Sequence, residues 1–174
     1  MLARLRKWES KSELANHLAG VGHAHVTVGL NAETPNHFYS LVVGDPDKPV
    51  AEIGIWASGF GIEPSWVVSA DGARMAVAHD TSVSFVDLNA CRVLKTQAVV
   101  GPLYELLSVP GSSDILVWHE LGVARMTLEG ESRWSVSTDI LSKCAIDAGK
   151  TVVLREMEDD GEMLFDLATG SRVS

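Results

Sequence analysis

Basic charge is scarce in this sequence: 14 lysines and arginines stand against 23 aspartates and glutamates, for a net charge of −9. Phosphate backbones are bound by basic stripes, so this balance argues against a nucleic-acid partner. It suits a basic protein partner instead, which a negative surface steers in during encounter. Long apolar runs are also missing. No stretch approaches the ~18 to 20 residues of a membrane-crossing helix, and the basic start Met1-Leu2-Ala3-Arg4-Leu5-Arg6-Lys7-Trp8 has no hydrophobic segment after it. Neither a membrane anchor nor a secretion signal is expected. Cysteine is limited to Cys91 and Cys144, too far apart for a disulfide framework or a Cys-x-x-Cys metal knuckle. They read as reduced, packed thiols of a cytoplasmic protein.

Catalytic signatures are equally sparse. There is no Gly-x-Ser-x-Gly elbow. His119-Glu120 is followed by Leu121, Gly122 and Val123, with no second histidine to complete a zincin pair. Gly20-Val21-Gly22-His23-Ala24-His25 begins like a dinucleotide fingerprint but lacks the third glycine and runs into a strand pattern. His23 and His25 lie two apart, and His37 falls on a strand that could pair with theirs. Three imidazoles suffice for an open zinc site, yet no carboxylate stands at a telling spacing, and solvated or hydrogen-bonded histidines are the preferred reading. The sequence therefore predicts no enzyme, no cofactor and no metal.

What the sequence does contain is a repeat. Ala70-Asp71-Gly72, Val109-Pro110-Gly111 and Asp147-Ala148-Gly149 fall 39 and then 38 residues apart. Val86-Asp87-Leu88-Asn89, Met126-Thr127-Leu128-Glu129 and Phe165-Asp166-Leu167-Ala168 fall 40 and then 39 apart. Two landmarks give one period, and each unit carries a β-hairpin: 74–79 with 83–88, 115–119 with 123–128, and 151–157 with 163–167. A period of about 40 residues built from short strands is a propeller-blade period, because one small sheet buries its faces only by stacking on its neighbours.

Leu164-Phe165-Asp166-Leu167-Ala168-Thr169-Gly170 resembles the strand and turn that close the third strand of a WD40-like or quinoprotein-like blade. Leu128-Glu129-Gly130-Glu131-Ser132-Arg133-Trp134 resembles the Leu-x-Gly-x-x-x-Trp run of quinoprotein-like repeats. The resemblance covers about two thirds of the chain. It implies propeller blades, with Trp134 packed between them, and is nearly silent on function. The Gly-His and Trp-Asp signatures of WD40 blades are absent from the three repeats.

Residues 1–60 diverge from the repeat. Residues 12–20 predict a short amphipathic helix capped by Ser10 or Ser12, with Leu14 and Leu18 on one face. Strands are expected over 24–30, 37–43 and 50–56, the last two joined by the turn Gly44-Asp45-Pro46-Asp47-Lys48-Pro49. The expected whole is one mainly β domain, 1–174: a short or incomplete propeller-like stack of three to four antiparallel sheets with a short N-terminal helix. A degenerate first sheet either completes a small ring or caps an open stack.

The densest charge cluster is Glu156-Met157-Glu158-Asp159-Asp160-Gly161-Glu162, five carboxylates with no base. Glu156, Glu158, Asp159, Asp160 and Glu162 are thus the expected landing site for a basic protein. Trp56 and Trp66, flanking the link between the first sheet and the repeats, are expected interface anchors. Trp118 is expected in the core. The functional expectation is a non-enzymatic protein-binding module. By analogy of size, acidity and missing catalytic motifs, its sharpest form is a bacterial immunity protein that neutralises a basic toxin. The alternatives are a metal- or ligand-binding protein using the histidines, and a structural subunit of a larger assembly.

Overall fold

Alternation of apolar and polar residues dictates most of the chain. In the computed structural model, residues 2–29, 34–45, 47–159 and 161–173 are described. Four sheets stack in sequence order. The first contains β1 (Ala3–Trp8), β2 (His25–Val28), β3 (His37–Asp45) and β4 (Lys48–Ala57), in the order β1-β3-β4-β2. The helix α1 (Lys11–Gly20) lies between β1 and β2 in the chain. The second sheet is the meander β5 (Ser65–Val68), β6 (Arg74–His79), β7 (Ser82–Asp87) and β8 (Arg92–Ala98). The third is β9 (Leu103–Ser108), β10 (Asp114–His119), β11 (Gly122–Thr127) and β12 (Ser132–Ser137). The fourth is β13 (Leu141–Asp147), β14 (Thr151–Glu156) and β15 (Glu162–Asp166), with a bridge from Phe165 to Arg172 starting a fourth strand.

The expected hairpins match these strands within a residue or two at each end. The basic start, where no strand is expected, forms the strand β1. Its charges obscure the alternation: Ala3 and Leu5 pack on the core between the first two sheets, while Arg4, Arg6 and Lys7 face outward on an edge strand. Charged side chains are a usual way to protect such an edge. The second departure is β2, which pairs parallel with β4. Parallel pairing requires a crossover.

Three apolar layers hold the stack. Leu41, Ile53 and Ile55 of the first sheet meet Met75, Val77 and Val86 of the second. Ala76, Val83 and Phe85 meet Leu106, Ile115 and Met126 of the third. Leu116 and Val123 meet Val152, Leu154 and Phe165 of the fourth. Burying each of these larger side chains is worth about 1.5–3 kcal/mol, so each sheet depends on the next.

The stack is open, and its two outer faces are finished differently. The outer face of the first sheet is covered by α1, whose Leu14 and Leu18 pack with Phe38, Trp8 and Trp56. Ser10 caps α1 by accepting a hydrogen bond from the Glu13 amide. On the fourth sheet, Glu162 pairs with both Lys143 and Arg155. Ala78 and Val83 occupy the corresponding positions of the second sheet and are buried there. A polar outer face of this kind is how stacked repeats terminate.

The repeated glycines have a backbone reason. Gly72, Gly111 and Gly149 turn the first hairpin of each unit at φ of 71°, 70° and 67°, a region side chains disfavour. At a neighbouring turn position Gly170 has φ 70°, and the matching residue of the first repeat is Cys91, at 46°.

Candidate functional site

Each repeat presents two ends. One end carries the turns within the first and last hairpins. The opposite end carries the central hairpin turn and the link to the next sheet, and is called here the connection end.

At the connection end, turn and link are bonded in series. The Ser58 and Gly59 amides donate to the Asp80 carboxylate at 2.8–3.2 Å. The Val99 amide donates to the Thr81 carbonyl, and the Leu103 amide to the Asp80 carbonyl. The Glu120 amide donates to Pro102, Thr138 to Leu121, Leu141 to Glu120 and Met157 to Ile140. The Asp139 amide donates to the Glu156 carboxylate at 3.0 Å. These bonds knit segments 58–59, 80–81, 99–103, 120–121, 138–141 and 156–157 into one continuous border across all four sheets.

Large apolar side chains are exposed along this border. Phe60 is 56% exposed, Val100 68%, Ile140 40% and Met157 64%. Phe60, Val100 and Ile140 are 40 residues apart, one per link between sheets. Asp80 and Glu120 likewise stand 40 apart in the central turns. Across 58–64, 80–81, 99–102, 120–121, 138–140 and 156–159, acids recur as Glu63, Asp80, Glu120, Asp139, Glu156, Glu158 and Asp159, with no lysine or arginine. His119, beside them, bonds the Val100 carbonyl through Nδ1 at 3.0 Å, and burial holds its pKa below the ordinary value. Leu121, Asp139, Ile140, Glu156, Met157, Glu158 and Asp159 line a groove of about 460 Å³.

The expected site residues separate in this geometry. Glu156, Glu158 and Asp159 lie together in that groove, and Asp160 lies outside the described residues. Glu162 belongs to the outer face of the fourth sheet. Hydrogen bonds and charge from Lys143, then Arg155, hold its carboxyl below the usual range. Trp56 sits under α1 with the Lys11 ammonium 4.2 Å from its ring centre. Trp66 packs on the core between the first two sheets. The two indoles are therefore half-buried and apart from the acidic groove. Trp118 packs against the last core layer and meets Tyr104 edge-on at 5.2 Å. Trp134 packs between the third and fourth sheets and donates to the Leu167 carbonyl at 3.1 Å. Phe60, Val100 and Ile140 were missed as site residues, although their 40-residue spacing is readable in the sequence.

The three-imidazole cluster weighed as an alternative does not form. His25 and His37 face Glu52 and Ala57 of β4, five positions apart, so they do not meet. Instead His17 and His23 donate through Nε2 to the two oxygens of Glu52, at 2.8 and 3.1 Å. Glu52 is 1% exposed. Burial pushes its pKa up, but hydrogen bonds from Ser40, His17 and His23 outweigh that and leave it below the ordinary value. Trp8 donates to Ser40 at 3.1 Å and stacks against His17 at 4.5 Å. This network ties α1 to the first sheet. Among the described residues, no three His, Cys, Asp or Glu side chains form a group able to hold a metal ion. Cys91 and Cys144 are free, and burial drives the Cys144 thiol up to about 12. No helix among the described residues is long and apolar enough to cross a membrane.

No family model and no curated protein matches the chain. Solved structures do match in fold. Hydrazine synthase of Kuenenia stuttgartiensis aligns at TM-score 0.59 and 20% identity, over 86% of this chain and 47% of that one. The β-propeller domain of Swd1 from Myceliophteria thermophila aligns at 0.55 and 12%, over 80% and 57%. The WD40 domain of Pan2 from Neurospora crassa aligns at 0.52 and 13%, over 79% and 48%. The fold is propeller-like. The chain spans about half the length of these three neighbours, and at such identities the likeness concerns architecture alone.

Proposed function

We propose that this chain is a non-enzymatic protein-interaction module that engages a basic partner through its connection end. The observation that carries this reading is the repeated exposed apolar residue, Phe60, Val100 and Ile140, set among seven acids in segments that contain no lysine or arginine. Exposed apolar side chains supply contact area, and the surrounding carboxylates supply steering and register. Glu156, Glu158 and Asp159 are the densest part of this surface. The propeller-like neighbours are compatible with an interaction scaffold. The narrower reading is an immunity protein that covers the basic surface of a toxin. Its support is the net charge of −9 together with this acidic border.

The test is comparative capture followed by mapping. Immobilised wild-type protein and a variant with Glu120→Gln, Asp139→Asn, Glu158→Gln and Asp159→Asn are exposed to the same lysate. A partner retained by the wild type alone is then purified, and hydrogen exchange is measured in the complex. Protection concentrated in 58–63, 99–101, 120–121, 138–140 and 156–159 supports the reading. Protection confined to the outer faces of the first or fourth sheet overturns it. A nuclease or other toxin as the recovered partner selects the immunity form; a neutral or acidic partner rejects it.

A further inference from the structure

The spacing of the apolar residues at the connection end constrains what lies on them. Phe60 belongs to the link between the first and second sheets, Val100 to that between the second and third, and Ile140 to that between the third and fourth. Consecutive anchors are therefore one sheet-to-sheet step apart. Packed sheets stand about 10 Å apart. A partner that uses all three must present apolar side chains at about that interval, all on one side.

An extended strand fits this badly. At about 3.3 Å per residue, 10 Å is three residues, and an odd step turns the side chain to the opposite face. A helix fits well. Seven residues rise about 10.5 Å at 1.5 Å each, and i and i+7 share one face after two turns. The acids set the chemistry between those anchors. Asp80 and Glu120 recur with the repeat, and Asp139, Glu158 and Asp159 flank the last anchor. Cationic side chains on the helix flanks complement them.

Resting on the interaction reading above, we propose that the connection end receives one basic amphipathic helix lying across the stack. Its apolar residues stand at i, i+7 and i+14 over Phe60, Val100 and Ile140, and its lysines or arginines flank them. Met157, bonded through its amide to the Ile140 carbonyl, widens the last contact. The repeat thus acts as a ruler, one anchor per sheet.

The test uses three labelled synthetic peptides of equal composition, in leucine, lysine and alanine. One carries leucine at i, i+7 and i+14, one has the leucines scrambled around the helix, and one alternates leucine and lysine to favour a strand. Binding is read by fluorescence anisotropy, and peptide helicity by circular dichroism. The heptad peptide is expected to bind about tenfold more tightly than either control and to gain helicity on binding. Phe60→Ser, Val100→Ser and Ile140→Ser are each expected to weaken it about tenfold, in line with the loss of one buried apolar side chain. Folding of each variant is checked by thermal unfolding.

Equal binding of all three peptides, or indifference to the three serine substitutions, overturns the ruler. The module reading fails separately, when the captured partner protects no amide of the connection end. A partner that protects this border through an extended segment keeps the module and rejects the helix.

Discussion

The two ends of the sheets hold the same residue types in opposite surroundings. At the turn end, carboxylates are consumed by the fold. Asp71 accepts from Ser69 and the Ala73 amide, and those bonds hold its carboxyl below the usual range. Asp87 accepts from the Ala90 amide and pairs with Arg74. Asp114 pairs with Arg125 at 2.8 Å, and Arg125 reaches on to the Leu167 carbonyl. Asp166 caps the turn at Thr169. At the connection end, Asp80 and Glu156 cap backbone amides, but no carboxylate there meets a lysine or arginine among the described residues. Acidity alone therefore does not mark a surface for binding. The proposed interface rests instead on unneutralised acidity beside exposed apolar side chains.

The largest expected effect breaks the turn end. Arg125→Ala leaves Asp114, 6% exposed, without its principal partner. Removing one member of a buried pair costs about 3–5 kcal/mol, and urea unfolding is expected to show a loss of about 3 kcal/mol. Partner binding by the protein that remains folded should be unchanged.

The connection end is expected to answer the other way. The fourfold variant Glu120→Gln, Asp139→Asn, Glu158→Gln and Asp159→Asn should stay within about 0.5 kcal/mol of wild-type stability, as surface substitutions do. It should associate about tenfold more slowly with a basic partner and show a flatter salt dependence. Stopped-flow association at two ionic strengths measures both.

Acid titration sharpens the contrast further. Burial holds His79 below its ordinary pKa, outweighing the charge of Asp80. The unfolded chain then binds a proton that the folded chain resists. His79 therefore costs stability as pH falls below about 6.5. Glu52 has a lowered folded pKa, so its contribution is present above about 4.5 and is lost as pH falls through the folded value. Urea midpoints from pH 8 to pH 5 should decline, and His79→Gln should flatten that slope. Asp71, Asp87, Glu162 and Asp166 also have lowered carboxyl pKa values, so Glu52→Gln should reduce, not abolish, a later loss below pH 4.5.

The smallest expected effect is local to one turn. Ala148 has φ 46° beside Gly149. The left-handed region costs a non-glycine residue about 1–2 kcal/mol, so Ala148→Gly should raise stability by about 1 kcal/mol. Binding at the connection end should not change.

The sequence carries the repeat, its hairpins and the propeller-like character in legible form. Those rest on local physics: two-residue alternation, turn glycines at Gly72, Gly111 and Gly149, and buried Val and Leu at fixed spacing. It also located the acidic turn at Glu156 to Asp159, since charge density is a linear property. The tertiary structure alone decided which polar groups meet. Glu52 is far in the chain from His17 and His23, yet a parallel β2 and a helix on the outer face bring the three together. Glu162 stands three residues beyond Asp159 in sequence, yet the two-residue alternation of β15 turns it to the outer face and its pairing with Lys143 and Arg155. The row of Phe60, Val100 and Ile140 lies between these cases. Its 40-residue spacing is written in the sequence, but only stacking puts one such residue at the same end of each sheet step.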